Sequence, residues 1–167
     1  MEDKMLFFEV MTQDEALDIA YNWKYEGELS FYNMTSDEED LNNFLDENAR
    51  GQNTFSVRTS REKEIIAYFY YYLVDNNTAE IVLAINPLYL NKGYGREIIL
   101  YVEEALGERK GVAKISVAVA AFNNKCKDFY ECLGFKKVGE FNNQTNGGVF
   151  TFLKMEKNLA TVNSSFS

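Results

Sequence analysis

Histidine is absent from the 167 residues, proline occurs once and cysteine twice. The first absence removes Ser–His–Asp and Cys–His catalysis together with most transition-metal sites. Any side-chain base must then be Asp, Glu, Lys, Tyr or a bound water. A single proline alongside 26% charged residues argues against disorder over most of the length. Cys126 and Cys132 stand six apart in a helical segment and so on different faces, which reads as two buried thiols rather than a disulfide or a metal pair. Neither a secretory leader nor a run of about 18 apolar residues is present, the pattern of a soluble cytoplasmic protein. Basic residues are also few: 17 Lys and Arg face 26 Asp and Glu, for a formal net charge of -9. Nucleic-acid binding needs a basic footprint that this chain lacks, whereas a cationic partner such as an amine suits its field.

What remains is an aromatic-rich chain, 46% hydrophobic, with 11 Tyr and 13 Phe. That is enough for one well-cored domain and short for two. Residues 5–10 read as a strand, and Thr12 stands as N-cap of a helix over 13–23 with Asp14 and Glu15 in its first turn. A second helix is predicted over 37–49, starting behind Ser36 with Leu41, Phe44 and Leu45 on one face. Strands follow at 53–59 and 64–74, and Asp75-Asn76-Asn77 turns the chain into another at 79–85. Next come a helix over 94–109 with Gly111 beyond its end, a strand over 114–119, and a helix over 124–132 closed by Gly134. Two last strands, 136–142 and 148–155, flank a turn from Asn142 to Gly148, and 158–167 read as a polar flexible tail. The order βααβββαβαββ is a mixed α/β domain over residues 1–157 with a largely antiparallel sheet.

One segment carries a ligand signal. The apolar run Ile81-Val82-Leu83-Ala84-Ile85 ends at Asn86-Pro87, and Gly93 and Gly95 then open the helix that carries Ile98, Ile99, Val102 and Leu106. Glycine lets backbone N–H groups approach a ligand, and a helix start offers unpaired donors with a favourable dipole. A pyrophosphate suits such a turn.

The stretch Ile85-Asn86-Pro87 followed by Asn91-Lys92-Gly93-Tyr94-Gly95 resembles the acetyl-CoA motif of the GNAT acetyltransferase superfamily, V-x-P-x-x-R/Q-G-K-G-x-G/A. A second block, Asn123 through Tyr130 to Gly134-Phe135, is similar to the family's later motif N-x-x-A-x-x-x-Y-x-x-x-G-F. Asn123 and Tyr130, seven apart, share a helix face. The resemblance spans residues 5–155 and implies a three-layer fold, a mostly antiparallel central sheet flanked by helices. Leu90 stands where the family has Arg or Gln, Asn91 replaces a frequent glycine, and Cys126 a common alanine.

The resemblance implies an N-acetyltransferase that moves acetyl from acetyl-CoA to a primary amine by direct attack, without a metal. It assigns the cofactor to the backbone of Leu83, Ala84 and Ile85, to the turn Leu90, Asn91, Lys92, Gly93, Tyr94, Gly95 and Arg96, and to Asn123, Phe129 and Tyr130. Tyr130 would protonate the departing thiolate, since a thiol's ordinary pKa of about 8.5 lies near tyrosine's of about 10; a core tyrosine packing on Phe135 is the alternative. Glu80 stands near the position of the general base in several members; a solvated strand-end glutamate is the alternative. Trp23, Tyr25, Glu26, Glu28, Phe31 and Tyr32 lie on the connection that walls the family's acceptor groove, and acids with aromatics attract a cation; an aromatic loop that caps the core is the alternative. Oligomeric state stays open, although an exposed C-terminal strand edge could pair with a second copy in a homodimer. A rival reading, a CoA-binding module with lost or regulatory chemistry, is raised by Leu90.

Overall fold

A computed structural model of the chain describes residues 5–60 and 63–159. The elements are β1 (Leu6–Val10), α1 (Gln13–Asn22), α2 (Glu38–Leu45), α3 (Glu47–Arg50), β2 (Thr54–Thr59), β3 (Ala67–Leu73) and β4 (Thr78–Ile85), followed by α4 (Tyr94–Lys110), β5 (Lys114–Ala120), α5 (Asn124–Cys132), β6 (Lys136–Thr145) and β7 (Gly148–Asn158). Short 3₁₀ turns occupy Gly27–Tyr32, Met34–Ser36 and Pro87–Tyr89. The fold is mixed α/β, a seven-stranded sheet in the order β1-β2-β3-β4-β5-β7-β6 flanked by helices. β4 and β5 run parallel, while β1–β2, β2–β3, β5–β7 and β6–β7 are antiparallel. Among the described residues no helix is long and apolar enough to cross a membrane.

Local chemistry explains the starts and stops. Thr12 and Glu15 form a reciprocal capping box on α1: the Glu15 N–H donates to Thr12 Oγ1 at 3.2 Å and the Thr12 N–H to Glu15 Oε1 at 3.0 Å. The single helix expected over 37–49 is two. Asp37, not Ser36, caps α2, and Asp46 breaks the run because its carboxylate accepts the N–H groups of Asn48 and Ala49 and starts α3 instead. β3 begins at Ala67 rather than 64, behind Ile65 and Ile66, whose carbonyls both accept hydrogen bonds from Asn86. The turn expected over Asn142 to Gly148 shrinks to two residues. Asn146 (φ 51°) and Gly147 (φ 77°) both take the left-handed conformation of a tight hairpin, so β6 extends to Thr145 while β7 starts at Gly148 as expected.

Two further expectations are corrected. Cys132 is exposed in the last turn of α5, while Cys126 is half-buried, and burial pushes its thiol up to about 11. Asn158 belongs to β7, paired with Lys114, and the Leu159 N–H donates to the Ala113 carbonyl at 2.8 Å. The remainder of the predicted tail, 160–167, lies outside the described residues.

The chain forms two compact units, Met1–Tyr70 with Leu83–Tyr94 and Tyr71–Val82 with Gly95–Ser167. In the first, Ala16, Ile19 and Ala20 of α1 share a core with Met11, Trp23, Phe44 and Ile65. In the second, Ile98, Ile99 and Val102 on α4, Ile115, Val117 and Val119 on β5, and Phe135 and Met155 are all buried.

Candidate active site

The glycine turn belongs to the first unit as far as Tyr94. Asn86, 6% exposed, anchors it: its Oδ1 accepts the Leu88 N–H at 3.0 Å and so starts the Pro87–Tyr89 turn. Its Nδ2 donates to the Ile65 carbonyl at 2.9 Å and its N–H to the Ile66 carbonyl at 2.8 Å. Sequence reasoning left this residue without a role, although Asn before Pro is a turn-starting pair. Asn91 (φ 61°) and Gly93 (φ 85°) are both left-handed, and nothing stands within 4 Å of where a Gly93 Cβ would lie. A left-handed residue redirects its neighbours' N–H groups, so two of them in one short turn leave its backbone open to approach. Asn is one of the few side-chain-bearing residues that enters this conformation readily, which accounts for its standing in for glycine.

The side chains of the turn divide their roles. Lys92 is exposed with its Nζ 5.4 Å from the Tyr89 ring centre, and Arg96 is exposed. Tyr94 is buried, edge-on to Tyr89 at 6.0 Å, which leaves its backbone as the part a ligand can use. Leu90 is half-buried. Gly95, in the second unit, is small for packing: a Cβ there would stand 3.2 Å from Phe129 Cζ.

Leu83, Ala84 and Ile85, at the end of β4, are half-buried, and the Tyr25 hydroxyl donates to the Ile85 carbonyl. Burial raises the Tyr25 phenol far above its ordinary value, so it stays a donor. The parallel ladder between β4 and β5 covers Thr78–Glu80 against Lys114–Ser116, whereas β4 continues to Ile85. Its last residues therefore carry backbone groups outside that ladder.

In the second unit Glu80 is half-buried, and its carboxylate accepts hydrogen bonds from the Tyr72 hydroxyl and, at 3.4 Å, from Ser116 Oγ. Tyr130 is 6% exposed, edge-on to Phe129 at 5.0 Å and to Phe135 at 5.1 Å. Its carbonyl accepts the Phe135 N–H at 3.0 Å where left-handed Gly134 ends α5. Asn123 is the N-cap of that helix, its Oδ1 accepting the Cys126 N–H at 3.1 Å. Its side-chain oxygen thus serves the helix start.

The nominated acceptor segment splits. Trp23 is buried, 5.9 Å from the Tyr68 ring, and Tyr25 is tied to Asn33 through its N–H at 2.7 Å. Phe31 is half-buried against Tyr32, whereas Glu26, Glu28 and Tyr32 are exposed. A cavity of 560 Å³ in the first unit is walled by Asp14 and Asp18 of α1, Trp23, Ile65 and Leu88. Among the described residues no group of three His, Cys, Asp or Glu could hold a metal ion.

The model of the acetyltransferase (GNAT) family matches residues 16–135. No curated protein matches the chain significantly. A GNAT-family acetyltransferase from Bacillus anthracis is similar in structure, with a TM-score of 0.73 at 16% identity over 94% of this chain and 96% of that one. A spermidine N-acetyltransferase chimera from Vibrio cholerae and hSSAT has a TM-score of 0.70 at 21% identity over 92% and 95%. A ribosomal-protein alanine N-acetyltransferase from Escherichia coli has a TM-score of 0.63 at 17% identity over 98% and 99%. At these identities the solved structures share the fold.

Proposed function

The chain belongs to the acetyltransferase (GNAT) family and is an acyltransferase, and from that premise we propose that it moves acetyl from acetyl-CoA to a primary amine by direct attack. The observation that carries the reading is the turn behind β4, where left-handed Asn91 and Gly93 open into α4 with no side chain crowding Gly93. The N–H groups of Asn91 to Arg96 hold the pyrophosphate. Backbone groups of Leu83 and Ala84 hold the pantetheine arm, with the Ile85 carbonyl already taken by Tyr25. Donors on β4 polarise the thioester carbonyl.

Glu80 takes a proton from the acceptor ammonium, whose ordinary pKa of about 10.4 keeps it protonated at neutral pH. The freed nitrogen attacks the carbonyl carbon, the carbon–sulfur bond breaks, and Tyr130 gives the thiolate a proton. Most of the acceleration comes from positioning, and no enzyme nucleophile is needed. Burial keeps Cys126 a thiol, in line with direct attack. The exposed acids Glu26 and Glu28 and the rings of Phe31 and Tyr32 wall the amine site, while Trp23 packs in the core of the first unit and Tyr25 holds the Ile85 carbonyl. Residues 1–157 act as one domain in the cytoplasm, a homodimer is the assembly to look for, and neither nucleic acid nor membrane is a partner.

The test is CoA release from acetyl-CoA with a panel of amines: spermidine, putrescine and a peptide with a free N-terminal alanine. At least one amine should turn over, and Tyr130→Phe should lower kcat about 10²-fold while the KM for acetyl-CoA stays within twofold. Binding of acetyl-CoA without turnover on any amine would replace this reading by a CoA-binding module. Unchanged turnover in Tyr130→Phe would remove that residue from the mechanism.

A further inference from the structure

We propose that Tyr72 and Ser116 are positioning residues that hold the Glu80 carboxylate in the orientation in which it receives the acceptor's proton. The inference rests on Glu80 being the base and names what aims it. The three residues lie in the second unit on three neighbouring strands. The Val74 N–H donates to the Thr78 carbonyl at 2.9 Å, which sets the β3–β4 hairpin register and places Tyr72 across from Glu80. The β4–β5 register then pairs Glu80 with Ser116, and the β5–β7 register pairs Ser116 with Glu156. Residues opposed in this way share one face of a sheet.

The two carboxylates of that row are treated differently. Glu156 is paired with Lys114 at 3.3 Å and Lys154 at 3.7 Å. Glu80 takes hydroxyl donors, one on each oxygen: Tyr72 on Oε2 and Ser116 on Oε1. Among the described residues it forms no ion pair. A cation would hold the carboxylate by neutralising it, whereas a hydroxyl orients it and leaves its charge to attract an ammonium. A carboxylate oxygen has two lone pairs, so one on each oxygen stays open to an incoming proton. Ser116 is fully buried, which fixes one donor inside the sheet. Tyr72 is 46% exposed, so the other donor lies on the solvent side of a half-buried carboxylate. In the step itself one N–H bond of the ammonium breaks, its proton joins a Glu80 oxygen, and the electron pair stays on nitrogen.

The test is a double-mutant cycle on Tyr72→Phe and Glu80→Gln, with kcat and KM measured for acetyl-CoA and for the fastest amine of the panel above. Glu80→Gln should lower kcat about 10²-fold. Tyr72→Phe should lower kcat about tenfold, with the KM for acetyl-CoA within about twofold and the thermal midpoint unmoved. In the Glu80→Gln background the same change should alter kcat by less than about twofold. Ser116→Ala should follow Tyr72→Phe in both backgrounds. An equal loss from Tyr72→Phe in both backgrounds, or no loss in either, overturns the positioning role while leaving Glu80 as base. Full turnover in Glu80→Gln, or no CoA release by the wild-type chain with any amine, overturns the parent reading and this inference with it.

Discussion

Glu15 shows how one side chain serves several purposes. It closes the capping box of α1, accepts the Ser56 hydroxyl at 3.0 Å, and pairs with Arg58 at 2.5 Å on β2. Burial alone would raise its carboxyl, but the Thr12 backbone, Arg58 and Ser56 together outweigh burial and hold it below its ordinary value of 4.5. A carboxyl lowered by folding contributes stability that is complete above that ordinary value and fades as pH falls through the lower folded one. Glu15→Gln should therefore destabilise the fold by about 1–2 kcal/mol at pH 7. In urea titrations the gap from wild type should shrink at about pH 3; a gap equal at both pH values would show that the charge contributes nothing. The capping position was legible in the sequence, because Thr12 and Glu15 are neighbours. The Arg58 partner was not, because it lies 43 residues away.

Among elements, the glycine turn separates two uses of glycine that look alike in sequence. Gly93 supplies a left-handed backbone in open space, and Gly95 supplies room for Phe129. Gly93→Ala meets no neighbour, so its effect is conformational: a loss of about 1 kcal/mol, read as a lower thermal midpoint. The strain should also disturb the N–H groups of the turn and raise the KM for acetyl-CoA several-fold while kcat stays within twofold. A KM unchanged beside a lowered midpoint would take the turn out of cofactor binding. Elements with side-chain periodicity were read closely from sequence, α5 and α4 among them. The errors fall where a polar side chain decides: Asp46 splits a helix by capping, and Asn146-Gly147 tightens a turn so that polar residues such as Asn143 and Gln144 join a strand.

For the whole molecule, the net charge of -9 bears on which acceptor the chain prefers. An acidic surface draws cations at long range, and salt screens that attraction over about 10 Å at 0.1 M. On the proposed reaction, the KM for spermidine should rise several-fold between about 50 and 500 mM NaCl, and the rise for a monoamine should be smaller. Equal salt responses would mean that the global charge plays no part in acceptor capture.

The amino-acid sequence alone determined the order of the strands, the cap of α1, the glycine turn that opens α4 and the family, because each rests on near neighbours along the chain. It also ruled out histidine chemistry by composition. The tertiary structure decided the partners. It sent Trp23 into a core, gave the Asn123 oxygen to a helix start, tied Tyr25 to Ile85, and set Tyr72 and Ser116 on Glu80. Strand register and burial make those assignments, and both depend on pairings between segments far apart in the chain, which no local pattern encodes.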